Sequence, residues 1–138
     1  MPRLRTHLLA TTAVVLVLCL VACGGGSDED DVRSASEDFV SAFKDENWED
    51  VCSLMSEDSK AQLEEARDLL DAKGGCADVW EKAAEFLPPD AKKQLEDFEI
   101  ESVKVDGDTA SVTTANAKGG PTQLVKEDGE WRVDFEQQ

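Results

Sequence analysis

Cysteines, carboxylates and aromatic rings carry what chemistry is available to this 138-residue chain, because imidazole and phenol are nearly missing. The cysteines are Cys19, Cys23, Cys52 and Cys76; the one histidine is His7, and there is no tyrosine. A Ser-His-Asp or Cys-His nucleophile needs an imidazole, and so do most catalytic zinc sites. A lone cysteine nucleophile needs a neighbour that lowers its pKa, whereas Cys52 sits beside Glu49 and Asp50, which raise it. The 31 acidic residues against 14 basic ones leave a charge of −17, which repels phosphates and argues against a nucleic-acid partner. The run Asp28-Glu29-Asp30-Asp31 invites a calcium reading. Counted as an EF-hand loop it puts Arg33 at the sixth position and Phe39 at the twelfth, where glycine and glutamate are needed, so the run reads as solvated charge. The sequence therefore predicts no catalytic residue, no metal, no cofactor and no enzyme.

The N-terminal segment accounts for two of the cysteines. Arg3 and Arg5 form a positive start, and an uncharged stretch of 15 residues follows from Leu8 to Ala22. That is short of the roughly 20 apolar residues of a spanning helix and normal for a signal-peptide core. It ends Leu20-Val21-Ala22-Cys23 and then Gly24-Gly25-Gly26-Ser27. The order of aliphatic, variable and small residue before cysteine resembles the bacterial lipobox. The resemblance implies a diacylglyceryl group on Cys23, cleavage before it, and membrane lipid as a partner through that anchor. It places the protein on the extracytoplasmic face of a bacterial cell membrane. Loss of residues 1–22 removes Arg3 and Arg5, leaving 12 basic and 31 acidic residues and a charge of −19. Residues 23–30 then form a flexible acidic tether, and residues 31–138 a single domain. An exported chain with two remaining cysteines favours a Cys52–Cys76 disulfide over a metal site, which would have two thiolates and no CxxC spacing. Such a bridge closes a loop of about 25 residues and stabilises by roughly 3–4 kcal/mol.

Helices come first in the domain. Val32, Ala35, Phe39, Val40 and Phe43 recur at helical spacing from Asp31 onward. Asn47 caps a second helix with Trp48, Val51, Cys52 and Met55 inward. Ser56 caps a third with Leu63, Ala66, Leu69 and Leu70 inward, ended by Gly74-Gly75. A fourth starts near Cys76 with Val79, Trp80, Ala83 and Leu87 on one face, and Pro88-Pro89 stops it. A short turn of helix covers Asp90 to Glu96. Cys52 and Cys76 then lie on buried faces of neighbouring helices. Strands follow. Phe98, Ile100, Val103 and Val105 alternate with one phase slip, the mark of a bulge. Ala110, Val112 and Thr114 form a second strand, Gln123 to Lys126 a third, and Trp131, Val133 and Phe135 the inward face of a fourth. Alternation sends Glu99, Glu101 and Asp134 outward. The sum is an α+β domain, with N-terminal helices packed on a curved antiparallel four-stranded meander.

Three stretches carry a resemblance: Ala35 to Val51 (ASEDFVSAFKDENWEDV), Val103 to Val112 (VKVDGDTASV) and Leu124 to Asp134 (LVKEDGEWRVD). In this order the chain resembles the nuclear transport factor 2-like superfamily and, more narrowly, its small actinobacterial lipoproteins. The resemblance implies a cone-shaped α+β fold whose final strand faces the cone. Superfamily enzymes work with Asp, Tyr or His in the cone, and here the phenol donor has no counterpart. The expectation is a non-catalytic module that binds a small apolar ligand or an envelope protein partner. Trp48, Trp80, Trp131, Phe39, Phe43 and Phe135 are the candidate pocket lining, weighed against the plainer reading that these rings are core. The alternative is an accessory role as a homodimer through the exposed sheet face.

Overall fold

A computed structural model describes residues 27–116 and 119–135; Cys23 and the tether before Ser27 lie outside them. Five helices precede four strands: α1 (Asp28–Lys44), α2 (Trp48–Ser53), α3 (Glu57–Glu65), α4 (Cys76–Glu85) and α5 (Pro89–Glu96), then β1 (Ile100–Asp106), β2 (Thr109–Thr114), β3 (Thr122–Glu127) and β4 (Glu130–Asp134). The sheet is an antiparallel meander in the order β1-β2-β3-β4, so the α+β class holds. The register slips between Ile100 and Ser102, where the phase of apolar residues slips in the sequence. No described helix is long and apolar enough to cross a membrane.

Helix α1 starts at Asp28, three residues earlier than its apolar stripe predicts. The Ser27 hydroxyl accepts from the Asp30 N–H, and all four acids of the run fall in the first turn. There they face the positive end of the helix dipole, so the run is helix and not tether. The stripe Val32, Ser36, Phe39, Val40 and Phe43 packs on the sheet face formed by Ala110, Val112, Leu124, Trp131 and Val133. Asn47 caps α2 as expected, accepting from the Asp50 N–H.

The third helix is the main departure. It ends at Glu65, and residues 66–71 run on in tighter turns, with Arg67 N–H bonded to Glu64 O and Leu69 N–H to Ala66 O. Asp71 has φ 51°, and Leu69, expected inside, is 88% exposed. A straight helix from Glu57 to Lys73 would carry the chain about 25 Å away. The turns fold it back, so that Cys76 meets Cys52 with their Cα atoms 6.1 Å apart in a disulfide. The two cysteines are half-buried, not deep in the core as their stripes suggest. The returning loop is held by Asp78, whose carboxylate accepts the Gly74 and Lys73 N–H groups at 2.8 and 2.6 Å. These bonds, that from Gly74 first, hold the Asp78 carboxyl below its ordinary pKa.

The outer edge of β4 is closed by the segment between α2 and α3. Val133 N–H donates to Leu54 O at 2.8 Å, and Ser56 N–H to Val133 O at 2.9 Å, a parallel bridge centred on Met55. This brings the start of α3 over the face of β4 that alternation assigns to solvent. Asp134, expected outward, is therefore 3% exposed.

Candidate functional site

The helices and the inner sheet face enclose an open-mouthed cavity of about 530 Å³. Its walls are built by periodicity. On α1, Ser36, Phe39, Val40 and Phe43 occupy successive turns of one face. On the sheet, Val112 and Thr114 of β2, Thr122 of β3, and Val133 with the following Phe135 share the inner side. Trp80 of α4, Leu87 in the connection to α5, and Leu95 and Phe98 around the end of α5 complete the apolar lining.

Four of the six rings singled out from the sequence line this cavity. Phe39 and Phe43 lie 6.3 Å apart between centroids, Phe39 and Phe135 5.8 Å, Phe43 and Trp80 5.3 Å, and Trp80 and Phe135 6.2 Å. The last three pairs are edge-on, the geometry that ring quadrupoles favour. Trp80 is fixed further by its indole N–H, which donates to the Met55 sulfur at 3.0 Å. Its helix is tied to α2 by the disulfide, so Cys52–Cys76 sets where this wall stands.

The other two rings are not in the lining. Trp48 packs edge-on behind Phe43 at 5.1 Å, supporting the wall from outside. Trp131 is buried at the opposite end of α1, where Lys126 lies over its ring at 5.4 Å and pairs with Asp28 at 2.7 Å. That lysine holds Asp28 below its ordinary pKa, and Asp28 in turn raises Lys126. The Trp131 indole N–H makes no hydrogen bond of normal length and angle, and its leaning toward Asp28 adds only the smallest of the lowering effects. Residue type alone does not separate a wall ring from a core ring.

The polar lining is sparse. Ser36 donates to Val32 O at 2.8 Å, so its hydroxyl proton is spent inside α1. Gln94, Asn116, Thr114 and Thr122 supply neutral groups, and Asp97 is the one carboxylate among the described lining residues. Among the described lining residues, no base, nucleophile and oxyanion donor converge. The buried carboxylate among the described residues lies elsewhere. Asp134 Oδ1 is 3.0 Å from the hydroxyls of both Ser56 and Ser59, which are 2.8 Å from each other. Ser59 Oγ also accepts the Phe135 N–H at 2.7 Å. This cluster is spent on structure, locking α3 to β4 and orienting Phe135 into the cavity wall. Sequence reasoning missed it; the one local sign is Ser56-Glu57-Asp58-Ser59, a doubled cap with a hydroxyl to spare.

Among the described residues, no group of three or more His, Cys, Asp or Glu is placed to hold a metal ion. No family model, curated protein or solved structure matches the chain.

Proposed function

We propose that this chain is a lipid-anchored, non-catalytic binding module that takes a small apolar ligand into the cavity between α1, α4, α5 and the sheet. The observation that carries it is the cavity: about 530 Å³, with five aromatic rings and few polar groups in its wall. Small-molecule sites run from about 300 to 1,000 Å³ with just this balance of apolar walls and few polar groups. The absence of histidine after residue 7, the absence of tyrosine, and the use of Asp134 in a structural cluster support a non-enzymatic role. In the same reading Cys23 carries the acyl groups, with two or three chains giving stable attachment at about 0.8 kcal/mol per buried methylene. The module then stands on the extracytoplasmic face of a bacterial membrane. The helices-then-meander order supports membership of the nuclear transport factor 2-like superfamily, with the cavity as the inside of its cone.

The test is saturable binding of the neutral dye Nile red, followed by dye emission and by tryptophan quenching. Thr114 is half-buried on the β2 wall, and Thr114→Trp fills the cavity from that side. The expected result is stoichiometric binding by the wild type and at least tenfold weaker binding by T114W, with an unchanged melting temperature. No saturable binding, or binding that T114W leaves intact, would remove the reading.

A further inference from the structure

The cavity mouth is electrically one-sided. Helix α5 delivers its C-terminal end there: Gln94, Leu95 and then Asp97 line the opening, and the Asp97 N–H closes the helix on Lys93 O at 3.0 Å. A helix C-terminus carries the negative end of the dipole, so Asp97 adds a full charge to a partial one of the same sign. No lysine or arginine is found among the described lining residues. Lys44 touches α5 from outside, its Nζ 3.5 Å from Glu96 O, and belongs to a separate cleft with Arg33 and Glu37. Deeper in, the wall is formed by Phe39, Phe43, Trp80 and Phe135, whose ring faces attract cations. An anionic head at this mouth would lose water and meet Asp97 with no partner, while a cationic head would gain one.

We propose that this cavity selects its ligand by charge, accepting amphiphiles with an apolar body and a cationic head and rejecting those with an anionic head, and that Asp97 is the residue that sets the preference. The inference rests on the apolar-ligand reading above. An attraction near a protein surface weakens with exposure and salt, so the expected preference for the cation over a neutral analogue is about tenfold at low ionic strength.

Three probes of one chain length separate the possibilities: dodecyltrimethylammonium, dodecanol and dodecanoate, each below its micelle concentration. They are tested as competitors of Nile red on residues 23–138 carrying Cys23→Ser. The described elements, which lie between Ser27 and Phe135, close their core within this span. The expected order is ammonium about tenfold better than alcohol, with the carboxylate weakest. Asp97→Asn, at an exposed position, should close the ammonium–alcohol gap. Asp106→Asn, an exposed acid at the end of β1, should leave the gap in place and so controls for the overall charge of this span, 12 basic against 31 acidic residues or −19. Equal or better displacement by dodecanoate overturns the proposal. So does a gap that survives D97N, which would assign it to the whole-molecule field. If dodecanol binds and the ammonium does not, the cavity stands and charge selection falls. If none of the probes nor the dye binds, the apolar-ligand reading itself is what fails.

Discussion

The two ends of helix α1 face the same sheet and both pack against aromatic rings, yet one is closed and the other open. At the N-terminal end Val32 and Trp131 are buried, Lys126 covers the indole, and Asp28 fixes the lysine. At the C-terminal end Phe39, Phe43, Trp80 and Phe135 leave a cavity between them. The difference lies in what covers each end. The closed end is sealed by side chains of α1 and the sheet themselves. The open end is roofed by α4, which the disulfide ties to α2, and by α5, which has no buried residue of its own. Apolar content therefore does not tell a pocket from a core; the spacing of the covering elements does.

That comparison breaks first at the disulfide. Replacing Cys52 and Cys76 together with serine frees α4, and the loss expected from opening a loop of this length is about 3–4 kcal/mol. The closed end should keep its Trp131 environment while Trp80 loses its contact with Met55. Chemical denaturation gives the stability, and ligand binding should fall further than the folded fraction does. If binding tracks the folded fraction alone, the disulfide stabilises without shaping the cavity.

The Asp134 cluster is next. Asp134→Ala removes the buried carboxylate oxygen that the Ser56 and Ser59 hydroxyls share, at an expected cost of about 3 kcal/mol. Asp134→Asn keeps an acceptor oxygen and should cost about 1 kcal/mol. Ser59→Ala removes the acceptor of the Phe135 N–H, with an expected loss of about 1–2 kcal/mol. It should also loosen Phe135 in the cavity wall, so dye affinity falls where stability alone would leave it. Urea melts and Nile red titration of the same samples separate the two effects.

How far the sequence reaches follows the range of each interaction. The caps at Asn47 and Ser56, the bulge in β1 and the inward face of β2 are read correctly because each is set within a few residues. The Cys52–Cys76 pairing is legible from the compartment that the lipobox resemblance implies together with the count of cysteines. The early start of α1 is missed because its first turn is acidic on every side, so no apolar stripe announces it. The failure at Asp134 has a longer reach. Period-two alternation assigns it to solvent, and the contacts that bury it come from residues 75 and 78 positions away, brought over β4 by an edge pairing that no local pattern encodes. The end of α3 fails for a related reason: an apolar stripe continues through Leu69, but the disulfide requires the chain to turn back. Trp48 and Trp131 share residue type and burial with the wall rings, and only packing separates them.

The smallest expected effect is at the closed end. Lys126→Met keeps an apolar cover on Trp131 but removes the charge that pairs with Asp28. Both groups are at the surface, so the pair is screened and its loss should shift the melting temperature only slightly. Its pH dependence is nevertheless fixed in sign. Asp28 has a lowered pKa in the folded state, so its contribution is present above the ordinary carboxylate value of 3.8 and is lost as pH falls through the folded value. Lys126 has a raised pKa, so its contribution is present below 10.5 and is lost as pH rises through the folded value. Wild type and K126M should therefore differ across the neutral range and converge below pH 3.8, with the difference shrinking in high salt. Ligand binding at the other end of α1 should be unchanged. A K126M variant that loses dye binding would mean that the two ends are coupled through α1, and that the sealed end helps to hold the cavity open.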